Sequence, residues 1–226
     1  MKSYVSCKDG DSFEIPIYIA CAEKFSRLQF ELFRDSGDCL HGTFLKQLFT
    51  EIESSEPSKL SDFQIHCSDD AKFFVHSLIL AQSPVLRRNL ESEFRESKSR
   101  RLVLDCDKAV VREFLRYLYT AELPSLDESQ AEGLLILAHR YALQDLVFWC
   151  RDVLISQLNS ENMGRFLLMA DLYGLASLKK KCLGEVLKNP DLFLDLPERA
   201  EILSKNNLVK AIMKSAADND VEDVGK

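Results

Sequence analysis

Glycine is scarce in this chain, with only 8 among 226 residues, and none is arranged as a phosphate-cradling loop. Long apolar runs are missing too. The longest are of the LLILA kind (134–138), far short of the roughly 20 residues that span a bilayer. FEIPIYIACA (13–22) ends like a signal-peptide cleavage site, but Asp9, Asp11 and Glu14 occupy ground that a secretory leader keeps basic. A β-strand is the better reading, and no membrane partner is expected. Positive charge is short as well: the net charge of -7 argues against nucleic acid, which clustered Lys and Arg bind. The clusters present, Lys98 with Arg100 and Arg101, and Lys179 to Lys181, read as solvated faces.

Paired cysteines are the last absence. The seven, at positions 7, 21, 39, 67, 106, 150 and 182, form no C-x-x-C, and Cys39-x-His41 lacks the second pair a zinc site needs. Reduced, mostly buried thiols in a cytoplasmic or nuclear protein follow, with no metal and no cofactor. What the chain does have is 46% hydrophobic and 29% charged residues, the balance of a soluble globular protein. Its length suits one large domain or two small ones.

From residue 61 the pattern is regular. DFQIHC alternates Phe63, Ile65 and Cys67 toward one side, SDDAK turns, and FFV returns, which predicts a hairpin. HSLILAQSPVLRRNLES reads as helix divided by Pro84, with Ser83 as cap, and RLVLDC as a third strand with Leu102 and Leu104 on one face. Helices then dominate. Asp107 caps one whose inner face is Val111, Phe114, Leu115 and Leu118, and Asp127 with Gln130 resembles a capping box for the next. A third carries Leu146, Val147, Cys150, Val153 and Leu154. A helical pair follows, capped by Ser160, turning at Tyr173–Gly174 and stopped by Asn189–Pro190. The closing SAADNDVEDVGK is small and acidic and is expected to fray. The fold class is therefore α+β, a small sheet among helices followed by an all-α extension.

These residues resemble a known family. SDFQIHCSDDAKFFVHSLILAQSPVL (61–86), with His76, Leu80, Ala81 and Ser83, is similar to the opening of a BTB/POZ domain. REFLRYLYTAELP (112–124) and LLILAHRYALQDLVFWCRDVL (134–154) continue the likeness, with Ala121 where the family usually has glycine. NSENMGRFLLMADLYGLASLKKKC (159–182) resembles the 3-box or BACK-like helices of speckle-type POZ proteins. The resemblance implies a BTB/POZ fold over 61–158, a 3-box/BACK-like region over 159–217 and a frayed acidic tail over 218–226. It also implies a homodimer that adapts an unknown protein substrate to a cullin-3 ubiquitin ligase. Such adaptors carry a hydrophobic-x-Glu motif after their second helix, where Phe94-Arg95-Glu96 stands here.

Two readings of Phe94 stay open: an anchor held out for cullin-3 with Glu96 beside it, or a ring folded back on its own helices. Tyr119 either packs under the cullin face or serves the core. Leu78, Ile79 and Leu80 lie on a segment apolar enough to offer a dimer surface. His76 reads as a structural histidine, Ser83 as a cap rather than a nucleophile, and His139 as inert. No catalytic constellation is visible, so no enzyme is expected; the competing reading is a BTB dimerisation or co-repressor scaffold without cullin binding.

Residues 1–60 are too few for the MATH sandwich that precedes the BTB domain in speckle-type proteins. EKFSRLQFELFRD (23–35) and LHGTFLKQLFTEIE (40–53) read as helical. LFRDSGDCLHGTFLKQLFTE (32–51) aligns without gaps on LVLDCDKAVVREFLRYLYTA (102–121), sharing Leu, Asp, Phe, Leu, Leu and Thr. That raises the expectation of a degenerate BTB-like remnant over 1–60.

Overall fold

The computed structural model describes residues 40–54, 58–91, 99–122 and 125–223. The elements below belong to the unit Phe44–Lys226; of Met1–Thr43 only residues 40–43 are described, and they open a helix. That helix, α1 (Leu40–Ile52), buries Leu48, Phe49 and Ile52, apolar residues one turn apart on one side.

Strands β1 (Phe63–His66) and β2 (Lys72–Val75) pair antiparallel, with Phe63 opposite Val75 and His66 opposite Lys72. Alternation turns Phe63, Ile65, Phe73 and Val75 onto the covered face. The turn between them closes through the Cys67 N–H on the Ala71 carbonyl at 2.9 Å. It also needs Asp70 at φ 60°, a conformation that aspartate tolerates better than most residues.

One helical turn, α2 (Ser77–Leu80), follows, and Pro84 opens α3 (Pro84–Glu91) at the position its fixed φ suits. The Asp62 carboxylate accepts from the Ser77 N–H at 2.7 Å, and the Ser83 hydroxyl from the Leu86 N–H at 3.2 Å, so both helix starts are satisfied. Strand β3 (Arg101–Val103) then lies parallel to β1, giving the order β2-β1-β3. Parallel pairing requires a crossover, and the chain through α2 and α3 supplies it.

Helix α4 (Lys108–Thr120) starts where the Asp107 side chain accepts from the Val110 N–H at 2.9 Å. It buries Val110, Val111, Phe114, Leu115 and Leu118. Helix α5 (Glu128–Arg140) carries the expected capping box, Gln130 N–H on Asp127 at 2.8 Å and Asp127 N–H on Gln130 at 3.2 Å. Helix α6 (Gln144–Gln157) turns Leu146, Val147, Cys150 and Leu154 inward, with Val153 half-buried beside them.

The start of α7 (Met163–Leu172) departs from expectation. Asn159 Oδ1 accepts from the N–H groups of Glu161 and Asn162, at 2.8 and 3.1 Å, while Asn162 Oδ1 accepts from the Asn159 N–H at 2.8 Å. This reciprocal pair, not Ser160, satisfies the free donors. Gly174, at φ 67°, makes the turn into α8 (Ala176–Lys188). Pro190 ends α8 and begins α9 (Pro190–Asp195), which leads through α10 (Arg199–Ser204) to α11 (Asn206–Asp223). The backbone of α11 is helical as far as Asp223, within the stretch expected to fray; Ala211, Ala216 and Ala217 favour propagation.

Helices α5 and α6 pack together, as do α7 and α8, and α8 also meets α6 and α11. One continuous apolar core therefore runs from the sheet to α11, in an α+β arrangement with an all-α extension. No helix among the described residues is long and apolar enough to cross a membrane.

Candidate functional site

Among the described residues, no three His, Cys, Asp or Glu side chains are grouped to hold a metal ion. Cys67, Cys106, Cys150 and Cys182 are free thiols, all but Cys106 buried. Burial pushes Cys67 up to about 11 and Cys150 and Cys182 to about 12, which keeps the nucleophilic thiolate scarce at neutral pH.

His76 is committed to the fold. Its backbone N–H donates to the Tyr119 hydroxyl at 3.0 Å, and its Nδ1 lies 2.7 Å from the same oxygen. Burial raises the Tyr119 phenol well above its ordinary value, so the hydroxyl stays protonated beside that nitrogen. Ser83 donates to the Tyr141 carbonyl at 2.7 Å, which together with its capping bond leaves it no base. His139 is exposed and lies against the Tyr173 ring, centroids 4.9 Å apart.

Three surfaces or junctions remain. On α2, Leu78 stands 81% exposed while Ile79 and Leu80 enter the core. The carboxylate of Asp62 fixes this turn by also accepting from the Ser77 hydroxyl at 2.6 Å and from Arg100 at 3.1 Å. Between α5 and α7, Glu128 accepts from Asn162 Nδ2 at 2.9 Å and pairs with Arg165, whose Nε meets Glu132 at 2.9 Å. Gln157 continues this junction, bonding the Leu126 carbonyl at 2.9 Å and accepting from Asn162 at 3.0 Å through its own carbonyl. The third surface is the outer side of α6, where Phe148 and Trp149 are exposed.

A family model of the BTB/POZ domain matches residues 49–158. Residues 49–158 are a BTB/POZ domain. Such domains mediate self-association and contacts with other proteins, so this part of the chain is a protein–protein interaction module. A relative is TD and POZ domain-containing protein 4 of Mus musculus, 36% identical over 119 residues, which cover 51% of this chain and 32% of that protein. The chain thus spans about a third of the length of this curated relative. Among solved structures, the BTB domain of zebrafish PATZ1 covers 63% of the chain and all of that domain, at 16% identity and a TM-score of 0.41. The BTB domain of human gigaxonin covers 61% of the chain and 97% of its own, at 19% identity and a TM-score of 0.38.

Phe94 and Glu96 lie outside the described residues. Tyr119 is 2% exposed, and its hydroxyl meets His76 inside the domain. The apolar stretch expected to face a second copy narrows to Leu78, because the burial of Ile79 and Leu80 removes them from any surface. Phe148 and Trp149 had a signal in the sequence that the core-seeking pattern passes over: they fall opposite the Leu146, Val147, Cys150, Leu154 stripe.

Proposed function

We propose that the chain is a dimeric substrate adaptor for a cullin-3 type ubiquitin ligase. It does no chemistry; it holds a bound protein beside the ligation machinery and so raises its effective concentration there. Phe94 serves as the aromatic anchor for the cullin and Glu96 as the contact that fixes register. Leu78 meets the second copy. Residues 159–217 act as 3-box/BACK-like helices that extend the docking face, and residues 1–60 as a degenerate BTB-like remnant. The site of action is the cytoplasm or the nucleus.

The observation that carries this reading is the junction between α5 and α7. Glu128, Glu132, Asn162 and Arg165 bond the helical pair to the BTB/POZ domain, so the two present one preorganised surface. Preorganisation lowers the ordering cost of docking. A flexibly tethered pair would offer no such support.

Calorimetry with the purified cullin-3 N-terminal domain tests it. The full chain binds, and Phe94→Ala weakens binding by about 2 kcal/mol, roughly 30-fold, with the thermal melt unchanged. No heat of binding from the parent chain, with dimers intact in sedimentation, leaves a dimerisation or co-repressor scaffold instead. Equal affinity of Phe94→Ala and parent removes Phe94 from the interface.

A further inference from the structure

The outer face of α6 has no part in the adaptor reading. Asp145, Phe148, Trp149 and Asp152 follow i, i+3, i+4, i+7 spacing, share that face and are all exposed. Phe148 is 38% and Trp149 43% exposed, and Trp149 is the only tryptophan in the chain. A large indole in water forgoes the burial that it would gain in a core or an interface.

The face already displays one complete recognition unit, made within the chain. Arg151 lays its guanidinium over the Phe148 ring, 5.0 Å from the centroid, and bonds Asp152 Oδ1 at 2.8 Å. Trp149 and Asp145, one turn apart, repeat the aromatic and the carboxylate without an arginine between them. Among the described residues, nothing stacks on the Trp149 indole or bonds its N–H.

We propose that this face docks an arginine-bearing segment of a partner protein, its guanidinium stacked on Trp149 and bonded to Asp145, its apolar neighbours covering Phe148. Arginine suits the site better than lysine because a planar guanidinium satisfies a ring face and a carboxylate together. The chain's net charge of -7 favours the approach of a cationic segment. The proposal goes beyond the cullin reading and does not depend on it, since it uses none of the residues that reading assigns to the cullin.

Trp149 reports on its own surface, because all tryptophan fluorescence of the full chain arises there. The chain is titrated with an alanine-rich helical peptide carrying arginine and leucine at i, i+4, and with matched lysine and glutamate versions. The arginine peptide is expected to shift the emission saturably, the lysine peptide to bind about tenfold more weakly, and the glutamate peptide not at all. Asp145→Asn weakens the arginine peptide by about tenfold and leaves the thermal melt unchanged. Equal responses to the arginine and glutamate peptides, or an unaffected Asp145→Asn, overturn the proposal. So does self-association that Trp149→Ala abolishes in sedimentation, which makes a second copy the occupant.

Discussion

Two helices of this chain carry nearly the same heptapeptide, FLKQLFT (44–50) in α1 and FLRYLYT (114–120) in α4, and they are covered very differently. In α4, Phe114, Leu115, Leu118 and Tyr119 are all buried. In α1, Leu48 and Phe49 are buried, Leu45 is half-buried, and Phe44 is 47% exposed. The helices meet each other through these segments. Phe49 lies 6.2 Å from Tyr119 between ring centroids, Arg116 sits over Phe49, Arg112 pairs with Glu53, and Lys46 with Glu122 at 2.8 Å. An amphipathic pattern thus decides which side of a helix is apolar, while its neighbours decide how much of that side is covered. Helix α4 packs against α5 and α2 and brings Phe114 to Tyr141, centroids 5.6 Å apart; the matching position in α1 faces water.

Truncating the matched phenylalanines breaks the comparison most sharply. Phe114→Ala is expected to cost about 3–5 kcal/mol in urea unfolding, as a fully buried ring does. Phe44→Ala should stay within about 1 kcal/mol. Comparable losses at the two positions would show that α1 is covered more fully than its exposure indicates. Next in size is Tyr119→Phe, which leaves the buried His76 N–H without its acceptor at a cost of about 1–3 kcal/mol. Its ring partner offers the control: Phe49→Leu removes the ring contacts with Tyr119 and Arg116 but no hydrogen bond, and should cost under about 1.5 kcal/mol.

A gain is expected at the end of α4. Ala121 sits at φ 53°, in the left-handed region that glycine enters without steric cost, and its N–H still bonds the Tyr117 carbonyl at 2.9 Å. Ala121→Gly should therefore add about 1 kcal/mol, or roughly 2–4 °C in Tm, by calorimetry. A lower Tm would mean that the loss of chain entropy outweighs the relief of strain. The smallest effect belongs to the exposed Lys46–Glu122 pair, where Lys46→Ala should fall within about 0.5 kcal/mol of the parent.

Local chemistry was legible wherever it stayed local. The hairpin alternation, the Asp107 cap, the Asp127–Gln130 box and the inner faces of α4 and α5 all depend on residues within one turn of each other. The failures have the opposite character. Ser160 looked like a cap, but Asn159 and Asn162 satisfy each other across three residues, and only their geometry shows it. Leu78, Ile79 and Leu80 share one helical turn, too short for a period to separate the outward side chain from the inward two. The role of α1 rests on pairs such as Glu53–Arg112, 59 positions apart, which no window of sequence contains. As for the site, Phe94-x-Glu96 rests on likeness alone, since a lone aromatic in a polar stretch has no physical signature of its purpose, and it lies outside the described residues. Trp149 could have been found by asking what lies opposite the core stripe of α6.

The parallel strand has a consequence for how the chain is made. Gln64 on β1 pairs with Arg101 on β3, whereas α7 and α8 are joined by a single turn at Gly174. The helical hairpin therefore closes its contacts quickly, and the sheet is completed only after a long loop has closed. Pulsed hydrogen exchange should find the α8 amides protected before that of Leu104, which bonds the His66 carbonyl at 2.8 Å; the reverse order would refute this. On the ribosome, β1 emerges with one edge bare until Arg101–Val103 follows, and during that interval another nascent chain can pair with it out of turn.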